Sequence, residues 1–128
     1  MPKAKQLTVK CENRPGTLAQ LGRVLGEAKV NILALHATTS GMDGAVQLIV
    51  ENVNKAKKAL EAAAFPYTEA DVLHVELPNV PGALGHFAGK LAAKDINITT
   101  AYQSAAKGAR KATVVLEVSD LEKAARVR

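Results

Sequence analysis

The chain has no tryptophan, two phenylalanines, two tyrosines and one cysteine among its 128 residues. A single cysteine, Cys11, excludes an intramolecular disulfide and any zinc site built from several cysteines. With aromatics at 3% and hydrophobic residues at 48%, the core must be assembled from Ala, Val, Leu and Ile. The scarcity of rings also bears on the formal charge of +5. Phosphate binding needs a contiguous basic face, and single-strand binding adds stacking aromatics. Here the cations gather at the two ends and at Lys55, Lys57 and Lys58, and no run interleaves them with Phe65, Tyr67, Phe87 or Tyr102. A nucleic-acid partner is therefore not expected, and the lysines read as a solvated helix face. No stretch approaches the roughly 20 apolar residues of a membrane span. The opening Met-Pro-Lys-Ala-Lys-Gln lacks the apolar centre of a signal peptide, so the expectation is a soluble cytoplasmic protein without a membrane partner.

What the chain does have is a repeat. Asn13-Arg14-Pro15-Gly16-Thr17-Leu18 returns as Asn79-Val80-Pro81-Gly82-Ala83-Leu84. Each run is followed by a helical pattern and then by an Asn between β-branched residues, Val30-Asn31-Ile32 and Ile96-Asn97-Ile98. One offset of 66 residues (81 − 15 and 97 − 31) relates both pairs of landmarks without a gap. A period of that size divides the chain into copies 1–70 and 71–128. A lone lobe of about 60 residues buries only about 60% of its unfolded surface, so the two are expected to pack together.

The hydrophobic periodicity gives each copy the same order. Gln6 to Cys11 alternates as a strand, Leu18, Leu21, Leu25 and Ala28 recur at helical spacing, and Val30 to Ala37 reads as a second strand. Ser40-Gly41-Met42-Asp43-Gly44 supplies hairpin chemistry, with Asp-Gly tolerating positive φ, and Ala45 to Glu51 returns. Asn52 or Asn54 can cap an Ala- and Lys-rich helix running to about Ala64. An extended stretch from Phe65 to Leu77 leads into the second copy, whose hairpin turns near Lys107-Gly108. Asp120 can cap a last helix, after which no strand follows unless another chain supplies one. A βαββαβ order is an α+β, ferredoxin-like arrangement with both helices on one face of an antiparallel sheet.

The turn is a natural place for a small charged molecule. Pro15 sets its own φ and biases Arg14 away from helix, while Gly16 lets backbone approach a ligand closely. The helix start beyond it offers unpaired N–H groups to a carboxylate. Asn13 and Asn31 can each present a carbonyl to an ammonium group and an amide to a carboxylate. Asn-x-Pro-Gly is also ordinary turn chemistry, but Asn is depleted in strands, and both copies keep it there.

Cys11 to Leu18, followed by Ala28-Lys29-Val30-Asn31-Ile32, resembles the ACT domain, and in particular the regulatory ACT domain of phosphoglycerate dehydrogenase. The second copy resembles it through Asn79, Pro81-Gly82, Leu84 and Ile96-Asn97-Ile98. The resemblance covers nearly the whole chain. It implies two ACT repeats packed together, the second truncated at its C-terminus and lacking its last strand. It further implies a free-standing regulatory protein that binds a free amino acid where ACT units meet. Asn13 and Asn31 would hold the polar groups in copy one, and Asn79 and Asn97 in copy two. The flanking Arg14, Pro15, Gly16, Thr17 and Leu18, with Val80, Pro81, Gly82, Ala83 and Leu84, would complete the walls. In the serine-sensing relative a His precedes this run, whereas here the place holds Cys11 and Leu77. Arg14 is replaced by Val80 and Glu12 by Pro78, so the second turn suits a more apolar amino acid or is degenerate.

No Ser/His/Asp or Cys/His arrangement, useful carboxylate pair or cofactor loop is present, so neither catalysis nor a cofactor is expected. His36, His74 and His86 have no metal-ligand spacing. The implied partners are a free amino acid and either a second copy of the chain or another protein. The alternative is an assembly or scaffold protein that uses the fold for oligomerisation and binds nothing.

Overall fold

Alternation along Lys3–Glu12 turns Leu7 and Val9 to one side of a strand, β1, and both are fully buried. The computed structural model describes residues 3–127. In chain order, β1 is followed by α1 (Thr17–Glu27), β2 (Ile32–Ser40), β3 (Asp43–Val50), α2 (Val53–Ala62) and β4 (Tyr67–Pro78). Then come α3 (Ala83–Ala93), β5 (Ile98–Ser104), β6 (Lys111–Val118) and a four-residue α4 (Leu121–Ala124). The expected βαββ order thus appears twice within an α+β fold.

The described residues form two compact units, 5–70 and 71–127, the latter also taking in residues 3–4. In the first, the strands run β2-β3-β1 and the chain entering β4 lies beside β1, where the Lys10 N–H donates to the Pro66 carbonyl at 2.9 Å. Leu21 and Leu25 of α1 and Ala56 and Leu60 of α2 close over Leu7, Val9, Val46 and Leu48. Asn52 caps α2, its Oδ1 accepting from the Lys55 N–H at 3.1 Å. The second unit runs β5-β6-β4. Phe87 and Leu91 of α3 and Ala124 of α4 pack on Leu73, Val114 and Leu116. Asp120 caps α4 through the Lys123 N–H at 3.0 Å.

Among the described residues no strand follows α4. The start of β1, residues 3–4, belongs to the second unit and lies on the free side of β4. There the Lys3 ammonium pairs with the Glu122 carboxylate.

Two local expectations are corrected. The first hairpin turns on Gly41-Met42, closed by the pair Ser40–Asp43, with positive φ at Gly41 (62°). Asp43 and Gly44 instead begin β3. A side chain at Gly44 would meet the Cys11 carbonyl oxygen at 3.3 Å, so this glycine answers to backbone crowding rather than to a turn. Leu18, one of the apolar periodic positions of α1, is 51% exposed; the buried face is Thr17, Leu21 and Leu25.

Candidate functional site

The first Pro-Gly turn is fastened to the hairpin tip by Asn13. Its backbone N–H donates to the Met42 carbonyl at 2.8 Å, and its side-chain Nδ2 donates to the Gly41 carbonyl at 2.8 Å. Copy two repeats the pair, with the Asn79 N–H on the Arg110 carbonyl and its Nδ2 on the Ala109 carbonyl, both at 2.9 Å. Each Asn thereby spends amide donors on the fold, while its carbonyl Oδ1 has no hydrogen-bond donor among the described residues.

Gly16 and Gly82 form the helix N-caps at φ 92° and 88°, a region that disfavours side chains. Neither cap residue bonds the first turn with a side chain, and neither helix has an acidic residue there. In α1, Thr17 N–H reaches the Arg14 carbonyl at 3.4 Å and Gln20 N–H the Gly16 carbonyl at 2.9 Å. The Leu18 and Ala19 N–H groups between them have no acceptor among the described residues. Beside them the Thr17 hydroxyl is buried and unpaired, in a residue only 8% exposed. An unmet buried hydroxyl costs about 1–3 kcal/mol. Copy two has Ala83 there.

Thr17 borders two hollows. One, of about 130 Å³, lies between the turn, Leu18 and the end of β2 at Ala37, Thr38 and Thr39. The other, of about 400 Å³, lies on the opposite side of α1, against Lys10, Gln20 and the segment Ala63 to Pro66. Arg14 borders both, with its guanidinium 3.7 Å from the Glu12 carboxylate. Cys11 also borders both, and its Sγ lies 3.8 Å from the Val9 carbonyl. Burial pushes the Cys11 thiol above its ordinary pKa, which keeps it protonated and poorly nucleophilic.

Asn31 and Asn97 lie elsewhere. β2 runs antiparallel to β3 from Ile32–Val50 to Ser40–Asp43, and β1 reaches the same end at Glu12–Asp43. Asn13 therefore sits at one end of the strands and Asn31 at the other, about 30 Å away along nine residues of β2. Asn31 Nδ2 is 3.3 Å from Glu51 Oε1, and the Glu51 N–H donates to the Asn31 carbonyl. Asn97 exchanges bonds with Ser119, whose hydroxyl accepts from its N–H at 2.9 Å. Within copy one, then, the structure does not bring Asn13 and Asn31 together. Arg14, Pro15, Gly16, Thr17 and Leu18 do cluster at the first turn, as Val80, Pro81, Gly82, Ala83 and Leu84 do at the second.

Sequence reasoning missed Ala37, Thr38 and Thr39, since only the β2–β3 pairing carries them to the turn. The isolation of the Thr17 hydroxyl likewise has no signal in the sequence. Among the described residues no group of three or more His, Cys, Asp or Glu is placed to hold a metal ion, and no helix is long and apolar enough to cross a membrane.

A family model for the ACT domain matches residues 5–64 and again 72–127. Among solved structures, protein BT0572 from Bacteroides thetaiotaomicron is 34% identical with a TM-score of 0.90, over 97% of this chain and 85% of that one. The ligand-free regulatory subunit of aspartate kinase from Thermus thermophilus is 16% identical with a TM-score of 0.70, over 98% and 89%. The corresponding Thermus flavus subunit is 15% identical with a TM-score of 0.63, over 91% and 83%. No curated protein sequence matches. Two family matches in tandem, on two copies of one fold with one turn geometry, place the chain in the ACT domain family as a tandem ACT domain protein.

Proposed function

We propose that this protein is a non-catalytic sensor of a free amino acid, with its working site at the first Pro-Gly turn. The observation that carries the reading is the buried, unpaired Thr17 hydroxyl beside the acceptor-less N–H groups of Leu18 and Ala19. A carboxylate seated there accepts from the two N–H groups and meets the positive end of α1, and the Thr17 hydroxyl, enclosed as it stands, joins them by rotation about its Cα–Cβ bond. Gly16 leaves room for the approach, as nothing lies within 4 Å of where its Cβ would be. The regulatory role of ACT domains supports the same reading.

The separation of Asn13 from Asn31 suggests how the site is completed. Among the described residues β2 pairs only with β3, and it carries Leu33 and Leu35, 49% and 40% exposed, and no Lys, Arg, Asp or Glu. An uncharged, apolar edge invites a second strand. If two chains pair through antiparallel β2 edges, the N-terminal end of one strand lies beside the C-terminal end of the other. Asn31 of one chain then faces the turn of its partner, and its amide and carbonyl complete the cage for ammonium and carboxylate. The ligand acts by favouring that arrangement over the separated chains.

The scaffold reading has one observation in its favour: the Asn13 and Asn79 amides are already engaged in holding the fold. Thermal-shift and calorimetric titration with each proteinogenic amino acid, on the wild type and on Thr17→Val, separates the two. A sensor is stabilised by at least one amino acid at millimolar concentration, and Thr17→Val weakens that response. A chain that assembles but responds to none of them is a scaffold.

A further inference from the structure

The spacing between the two copies changes inside the second hairpin. Asn79 stands 66 residues after Asn13, but the helix cap Asp120 stands 68 after Asn52 (79 − 13 and 120 − 52). The shift falls between the equivalent cross-strand pairs Thr38–Ala45 and Ser104–Thr113. Six residues, 39–44, lie within the first pair and eight, 105–112, within the second. The chemistry changes with the length. Residues 39–44 carry one charge, on Asp43, whereas 105–112 carry Lys107, Arg110 and Lys111 and no carboxylate. A formal charge of −1 at one tip becomes +3 at the other. All three cations are exposed, and among the described residues none has an ion pair or a side-chain hydrogen bond. Glu76, the closest carboxylate along the β4–β6 register, stands opposite Thr113, two places from Lys111, and does not pair with it. The backbone beneath the cations is held. The two Asn79 bonds fasten the Ala109 and Arg110 carbonyls, and the Ala109 N–H closes on the Ala106 carbonyl at 3.0 Å. Gly108 supplies the positive φ of this turn, 83°.

We propose that this tip is a docking surface for an acidic segment of another protein. Three like charges gathered at one end of a hairpin repel one another and gain from a polyanion laid across them. A backbone already held in place lowers the ordering cost of that encounter. Exposed ion pairs are individually weak, so a lone small anion gains little, whereas an extended run of carboxylates gathers several. The neighbouring residues narrow the choice of polyanion. Residues 105–112 hold no aromatic ring for a base to stack on. They hold no apolar side chain larger than Ala to enter a bilayer. A second copy of this chain does not supply the segment, since no two acidic residues are adjacent anywhere in its sequence. The surface stands on copy two alone and does not depend on the amino-acid reading of the first turn.

Backbone-amide NMR titration of the full chain with hexaglutamate, capped at both ends, tests the proposal. Saturable shifts are expected at residues 105–111, weakening by about threefold or more on going from low to physiological salt, with capped hexaglutamine inactive. Lys107→Glu combined with Arg110→Glu should weaken binding by about tenfold or more. Lys55→Glu combined with Lys58→Glu, on the exposed face of α2, should change it by less than about twofold. If the tip double variant does not fold, Lys107→Gln alone decides, with an expected loss of about threefold. No saturable shift at millimolar peptide, shifts centred on α2 or spread over every lysine, equal binding of hexaglutamine, or unchanged affinity in the tip variant overturns the proposal. Tighter binding at the tip by an oligothymidylate, or by vesicles containing phosphatidylserine, overturns it as well and assigns the tip to nucleic acid or to a membrane surface.

Discussion

The Asn13 side-chain amide donates to the Gly41 carbonyl at 2.8 Å, joining a turn to a hairpin tip 28 residues away in sequence. This bond, with its copy between Asn79 and Ala109, gives the repeated Asn a structural duty before any ligand is considered. Asn13→Ala and Asn79→Ala should each lower stability by about 1 kcal/mol, measured by denaturant unfolding. Neither is a clean test of ligand binding, because each loosens the turn that shapes the site.

Thr17→Val is the cleaner probe. It keeps the shape of the side chain and removes a buried hydroxyl that has no partner. The free protein should unfold at higher denaturant, by about 1 kcal/mol, because an unmet polar group has been deleted. Ligand affinity should fall about tenfold in the same variant. Stability and binding moving together in one direction would contradict the site.

Gly16→Ala and Gly82→Ala place a Cβ at φ 92° and 88°. Nothing crowds either position, so the effect is backbone strain alone, about 1–2 kcal/mol each. Gly16→Ala should also weaken amino-acid binding, since relief of that strain moves the Leu18 and Ala19 N–H groups; Gly82→Ala should leave first-turn binding intact. Calorimetry on the two variants provides the comparison.

Tyr102 gives a pH signature. Burial first, and then the charge of Glu117, push its hydroxyl from 10.0 up to about 12. A phenol whose folded pKa is raised keeps its proton longer in the folded state. Its contribution to stability is complete below pH 10 and is lost as pH rises from about 10 to about 12. Tyrosinate absorbance should rise in that upper window. Tyr67 is raised likewise to about 12, chiefly by its hydrogen bond to the Glu61 carboxylate. Glu61→Gln should return its titration toward the ordinary range, and Glu117→Gln should shift Tyr102 only partly, because burial remains.

Assembly through β2 predicts that Leu35→Lys, on an exposed edge position, yields monomers by light scattering without loss of fold. The copy-two edge provides the control. Its counterparts to Leu33 and Leu35 are Thr99 and Ala101, so Ala101→Lys should leave the oligomer unchanged.

Much of this was legible from residue order. The 66-residue offset, the paired Pro-Gly turns and the caps at Asn52 and Asp120 are local patterns with local physical causes. Leu18 was not legible, since it shares an apolar spacing with Leu21 and Leu25, and periodicity cannot say where a buried face ends. Gly41 and Gly44 look alike in sequence; only strand register shows which one turns and which one makes room for the Cys11 carbonyl.

Residue order by itself determined the duplication, the strand and helix order of each copy and the two turns, because propensity, capping and backbone freedom act over a few neighbouring residues. Only the tertiary structure decided that Asn13 and Asn31 lie at opposite ends of the strands, that the Thr17 hydroxyl is enclosed without a partner, and that the start of β1 stands beside β4 in the second unit. Those facts depend on which distant strands pair and in which direction. Pairing is settled by the summed burial of Leu7, Leu48, Leu73 and Leu116 with their neighbours, not by any single segment.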